Sequence, residues 1–176
     1  MSEVLFTVLV GLVALERLAE LVVSKRNAAW SFARGGVEYG RGHYPLMVAL
    51  HTALLAGALA EVWWRRPEFV PVLGWTMLAL VVLAQGLRWW CIATLARQWN
   101  TRVIVVPGLS LVQSGPYRLL RNPNYVAVVV EGFALPLVHS AWITAVVFTA
   151  LNAVLLTVRL SVENAALAAL DRAPSP

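Results

Sequence analysis

The stretch FVPVLGWTMLALVVLAQGLRWWCIATL, residues 69–95, decides the fold class. It is predominantly apolar for longer than the ~20 residues an α-helix needs to cross the hydrocarbon core of a bilayer. Working outward, four further apolar runs lie at 4–23, 44–64, 124–138 and 141–160. The chain as a whole agrees: of its 176 residues 60% are hydrophobic and only 13% charged, with a mean hydropathy of +0.72. A water-soluble domain carries about a quarter of its residues as charges, so a soluble globular fold is excluded. Disorder is excluded by the same figures. The 11 Gly and 9 Pro follow no period, which removes a collagenous reading. The length suits one domain, and the single cysteine, Cys91, excludes an intrachain disulfide framework and any multi-cysteine metal site.

The expected fold is therefore an all-α integral membrane protein with five transmembrane helices. Segments 1–98 carry helices one to three, 99–123 is a connection, 124–170 is a helical hairpin with the end of the last helix, and 171–176 (DRAPSP) reads as a disordered tail. The fourth run is short and reaches Pro136, so it spans as one arm of a hairpin turning at His139-Ser140. The start, MSEVLF, has Glu3 and no basic segment before the apolar run, unlike a cleaved signal, so the first helix is expected to stay.

The net charge of +5 raises nucleic acid as a partner, but its distribution points elsewhere. Lys25, Arg26, Arg34 and Arg41 fall in the first connection and Arg97, Arg102, Arg118 and Arg121 in the third, against only Arg65 and Arg66 in the second. This asymmetry places the N-terminus outside and the C-terminus and third connection in the cytoplasm. The basic surplus serves topology and anionic lipid headgroups rather than nucleic acid. The sequence specifies no oligomeric state. Trp30, Trp63, Trp64, Trp89, Trp90 and Trp99 cluster near helix ends, as interfacial anchors do.

Ionisable groups inside a membrane helix face the bundle interior and find partners. Glu16, Glu20 and Ser24 share one face of the first helix, with Arg17 able to pair with Glu20. They either pair with the basic connection nearby or belong to a site. His51, alone on the second helix, reads first as an interhelical hydrogen-bond partner, with catalysis as the alternative. Glu131, on the face of Asn124, is either a helix contact or a site residue. Asn152, Arg159 and Glu163 form a polar stripe ending at the cytoplasmic edge, and a site is expected there.

The third connection contains RQWNTRVIVVPGLSLVQSGPYRLLRNPNYVAV, residues 97–128. VIVV is β-branched and favours extended backbone. Pro107-Gly108 and Gly115-Pro116 are turn dipeptides, and Pro123 suits the first turn of a helix. An ordered loop ending at a helix N-terminus can bind a ligand, and its free N–H groups suit a carboxylate.

GPYRLLRNPNY, residues 115–125, resembles the GPYR-x-x-R-H-P-x-Y signature of the isoprenylcysteine carboxyl methyltransferase family, which includes related phospholipid methyltransferases. RLSVENAAL, residues 159–167, resembles that family's closing R-x-x-x-E-E-x-x-L. Together they cover roughly residues 99–170 in the family's order. The resemblance implies S-adenosylmethionine as methyl donor, held on the cytoplasmic side by the loop and the last helix, with a lipophilic acceptor entering from the bilayer. It implies Val112, Gly115, Tyr117, Arg121, Asn122, Pro123, Tyr125, Glu163 and Asn164 as cofactor-binding residues, and Arg159 and Glu163 as catalytic ones, without a metal. Asn122 replaces the family's His and Asn164 its second Glu. Asn122 can still donate and accept a hydrogen bond but cannot titrate near neutral pH.

The residue types suit that donor. An aromatic ring can face a sulfonium, Glu163 an amino group, and N–H groups near Asn124 a carboxylate. A carboxylate acceptor, as on a prenyl-, polyketide- or lipid-like substrate, needs only a cation such as Arg159. A hydroxyl acceptor needs a base, for which Glu163, His43 and Glu16 are the candidates. The alternatives are an NADPH-dependent membrane reductase of the sterol reductase type and a small helical transporter or assembly partner. The first lacks a further Arg/Lys cluster after Tyr125, and the second leaves the GPYR loop unexplained.

Overall fold

In the computed structural model, residues 1–170 are described, so the expected disordered tail lies outside the described residues. There are five helices: α1 (Glu3–Phe32), α2 (Tyr44–Arg65), α3 (Pro71–Leu95), α4 (Pro123–Leu137) and α5 (Trp142–Leu170). Three helical stretches, Arg41–Arg65, Pro71–Gln98 and Trp142–Ala166, are long and apolar enough to cross a membrane. The helix α1 has the length but carries Glu16, Arg17 and Glu20, and α4 is a shorter apolar helix.

The all-helical architecture carries one short strand pair. Val37–Tyr39 (β1) and Val103–Val105 (β2) pair as an antiparallel ribbon, with Val37 opposite Val105 and Tyr39 opposite Val103. The β-branched run is extended as its composition suggests, and its partner comes from the first connection. Val103 and Val105 are buried against Ala166 of α5 and Tyr39. Glu38 sits between Arg41 (3.4 Å) and Arg102 (3.5 Å), tying the two connections by charge as well.

Two helices outrun their apolar segments. The first continues beyond residue 23 to Phe32, because Ser24, Asn27 and Ser31 are buried there. Asn27 donates to the carbonyls of Ala96 (3.0 Å) and Trp99 (2.8 Å), and Ser24 bonds Asn100 (2.8 Å) and Thr101 (2.7 Å). Lys25 and Arg26 therefore lie on the exposed side of a helix rather than in a loop. The last helix likewise runs beyond residue 160, under the ribbon.

The chain reversals at the far end meet each other. Ser140, at φ 57, makes the turn between α4 and α5 after Pro136 and donates to the carbonyl of Glu68 at 3.1 Å. Glu61 of α2 accepts from the amides of Ile143 (3.1 Å) and Thr144 (2.8 Å), so a carboxylate caps the first turn of α5. The apolar core, with Phe6, Val10, Ala58, Val62, Leu135 and Val138, packs around this end. The bundle is thus tied together at the end of the short reversals by these contacts and by the apolar core. Trp99 is only 2% exposed, so it packs inside rather than anchoring at an interface; Trp64, 90% exposed, is free for that role.

Candidate active site

A cavity of about 550 Å³ lies between α1, α2, α4 and α5. Its walls are mostly apolar, among them Leu18, Leu55, Leu59, Val128 and Leu155. It reaches along α1 from Thr7 to Leu21, a rise of about 20 Å at helical pitch. The ribbon end is polar, with Tyr44, Asn100, Thr101, Asn124, Tyr125 and Arg159 on the wall.

Tyr125, Arg159 and Glu163 come together at that polar end. The Tyr125 hydroxyl donates to Glu163 Oε2 and accepts from Arg159 Nε at 2.8 Å. Arg159 and Glu163 are thereby joined through a phenol and not by a direct ion pair among the described residues. The Arg159 guanidinium lies 5.4 Å from the Tyr125 ring centre, and its Nη1 lies 2.8 Å from Met47 Sδ. Four residues apart on α5, Arg159 and Glu163 share a face. Proline at the first position of α4 sets Tyr125 in the first turn of that helix.

The loop residues surround this cluster. Arg121 donates to Asn164 Oδ1 at 3.1 Å, so one of the two positions departing from the family pattern is used as an acceptor. Asn122 precedes α4 without capping it through its side chain. Gly115, at φ 55, lies where a Cβ would meet Thr94 and Trp90 near the end of α3, which fixes the loop on that helix. Tyr117 is set beside Cys91, and burial pushes its phenol up from the ordinary tyrosine range. Val112 is half-buried in the loop ahead of them. Gly115, Tyr117, Arg121, Glu163 and Asn164 do not line the large cavity, whereas Asn124, Tyr125 and Arg159 do. The last two thus stand between the loop and the cavity.

Asn124 Oδ1 and Trp99 Nε1 are buried without a hydrogen-bond partner among the described residues, and both residues line the cavity. An unpaired buried acceptor and donor on a wall that also carries the Tyr125 phenol and the Arg159 guanidinium suit a ligand with polar groups.

The charged residues of α1 form a second cluster deeper in the bundle, and they do not pair with the basic connection. Glu20, 2% exposed, accepts from Arg88 Nε and from Arg88 Nη2 at 2.6 Å, and from Arg17 Nη1 at 2.7 Å. Arg17 Nη2 reaches Glu131 at 2.6 Å and Gln85 at 2.8 Å, and Gln85 bonds Glu16. Glu131 is therefore a helix contact. His51 bonds the Met47 carbonyl of its own helix at 2.8 Å, not another helix. Gln85 and Arg88 lie inside the predominantly apolar 69–95 run, where a reading by apolar length does not single them out. A guanidinium amid apolar residues of a membrane helix implies a carboxylate on a neighbour, which is the signal that points to Arg88. Among the other candidates, His43 sits in a 3-10 turn against Gly40, and Asn152 is buried on the cavity wall.

Residues 77–169 match the isoprenylcysteine carboxyl methyltransferase family model. An uncharacterized protein of Bacillus subtilis, YpbQ, is 35% identical over 164 residues, covering 93% of this chain and 96% of the relative. An uncharacterized protein of Haemophilus influenzae is 26% identical over 157 residues, covering 88% and 90%. No solved structure gives a significant match.

Proposed function

The chain belongs to the isoprenylcysteine carboxyl methyltransferase family, and from that premise we propose that it is a multi-pass membrane enzyme methylating an oxygen of a lipophilic acceptor with S-adenosylmethionine. The observation that carries this reading is the position of Tyr125 and Arg159. They come from the two family motifs, bond each other at 2.8 Å, and form part of the polar wall at one end of the cavity.

The division of labour follows from which side of that wall each residue lies on. Glu163, Asn164, Arg121 and the loop hold the donor, with Glu163 toward its amino group and the start of α4 toward its carboxylate. S-adenosylmethionine supplies the methyl group when bound. The cavity takes the apolar body of the acceptor, and Arg159 orients its oxygen. Methyl transfer is an in-line displacement, so holding both partners in place supplies much of the rate.

Replacing Glu163 by Ala should cost donor binding about 1.5–3 kcal/mol, the worth of a charge-assisted hydrogen bond. Calorimetry with S-adenosylhomocysteine on the folded variant reads it, and unchanged affinity would remove Glu163 from the donor site.

Topology follows the charge. The connections bearing Arg34, Arg41, Arg97, Arg102, Arg118 and Arg121, with Lys25 and Arg26 near the end of α1, meet at the ribbon end, opposite Arg65 and Arg66. With all five helices crossing the bilayer, that end and the C-terminus are cytoplasmic. Reporter fusions after Arg66 and after Pro176 should give opposite signals; equal signals contradict five spans.

A further inference from the structure

We propose that His51 is the base that takes the proton of a hydroxyl acceptor, which makes the methylated oxygen a hydroxyl and not a carboxylate. This rests on the methyltransferase reading above and adds a residue that neither family motif contains.

The ring is fixed and its second nitrogen is free. His51 Nδ1 lies 2.8 Å from the Met47 carbonyl. A carbonyl can only accept, so the proton sits on Nδ1, and neutral imidazole keeps its lone pair on Nε2. No protein group among the described residues bonds Nε2. The Phe148 ring meets the imidazole edge-on at 5.4 Å between centres, which further sets its plane.

The charges around it are otherwise committed. Arg17 of α1, Arg88 of α3 and Glu131 of α4 line a small cleft beside His51. Arg17 is held by Glu20 and Glu131, and Arg88 by Glu20. The imidazole is thus the one uncommitted base on the cavity wall among the described residues. Met47 links it to Arg159: the backbone carbonyl holds His51, and the sulfur lies 2.8 Å from Arg159 Nη1. A base and an orienting cation therefore share one cavity and one intervening residue. A carboxylate acceptor is already ionised at neutral pH and has no use for that base; a hydroxyl does.

The step balances. The hydroxyl oxygen forms its bond to the methyl carbon as the methyl–sulfur bond breaks, and the pair of that bond stays on sulfur. The hydroxyl proton passes to Nε2. The positive charge on sulfur before transfer becomes a positive charge on the imidazole after it.

The test uses His51→Asn, because an asparagine amide can keep a donor toward the Met47 carbonyl while removing Nε2. The first readout needs no methyl donor: a dodecyl-substituted nitrophenol, coloured only as phenolate, is bound to the detergent-solubilised protein at a pH where the free probe is neutral. Wild type should raise the phenolate band and His51→Asn should not; equal bands in the two proteins overturn the proposal. The second readout compares methylation of dodecylphenol and of dodecanoic acid. His51→Asn should lose ~10²-fold on the phenol and little on the acid, with S-adenosylhomocysteine affinity unchanged. Equal losses on both acceptors, no loss on either, or a loss of S-adenosylhomocysteine affinity assigns His51 to packing and overturns the proposal. Should wild type bind no S-adenosylhomocysteine, the methyltransferase reading fails, while the phenolate comparison still decides the role of His51.

Discussion

Glu20→Ala should destabilise the protein by about 3–5 kcal/mol, the range expected when one member of a buried ion pair is removed. The carboxylate is 2% exposed and holds Arg88, itself 7% exposed, through two guanidinium nitrogens, together with Arg17. Its loss strands a buried cation on α3 and weakens the join between α1 and the rest of the bundle. Glu20→Leu combined with Arg88→Met should be far milder, because no uncompensated charge remains. Thermal unfolding in detergent, followed by circular dichroism, reads both. A single variant as stable as wild type would show that the cluster is solvated and not a buried tie.

Arg159→Lys should retain donor binding and lose turnover by ~10²-fold, the scale of removing one preorganised donor from a reacting centre. Arginine here bonds the Tyr125 hydroxyl through Nε and meets Met47 through Nη1, two directions set by one planar group. An ammonium on a flexible stem cannot hold both at once. A merely structural arginine predicts a different pattern, in which the lysine variant keeps its rate or loses donor affinity and stability together. Donor affinity and methyl-transfer rate on one preparation separate the two, and near-normal turnover removes Arg159 from the catalytic residues.

Much of this arrangement is legible in the sequence where one physical rule dominates. Apolar length gives the helices, Pro123 the start of α4, and Pro136 the position of the last turn. The spacing of Arg159 and Glu163 places them on one face, and the structure seats both on Tyr125. What escapes is pairing between distant segments. Nothing local in VEY announces a strand, because β1 exists only through β2. Arg88 looks like an isolated cost in an apolar run until Glu20 is brought to it from α1. Trp99 reads as an anchor by its position at a helix end, yet Asn27 of α1 holds its carbonyl and the chain folds it inside. The cavity is the least legible of all, since it is a space left between helices, and the polar residues on its wall show in the sequence only as single groups on separate helices.

The central claim is that the loop and α5 bind a methyl donor, and titration calorimetry of the wild-type protein in detergent with S-adenosylhomocysteine, set beside NADPH, tests it most directly. The account predicts saturable binding of S-adenosylhomocysteine to one site and none of NADPH. Binding of NADPH with no response to S-adenosylhomocysteine would contradict it and turn the assignment to a reductase.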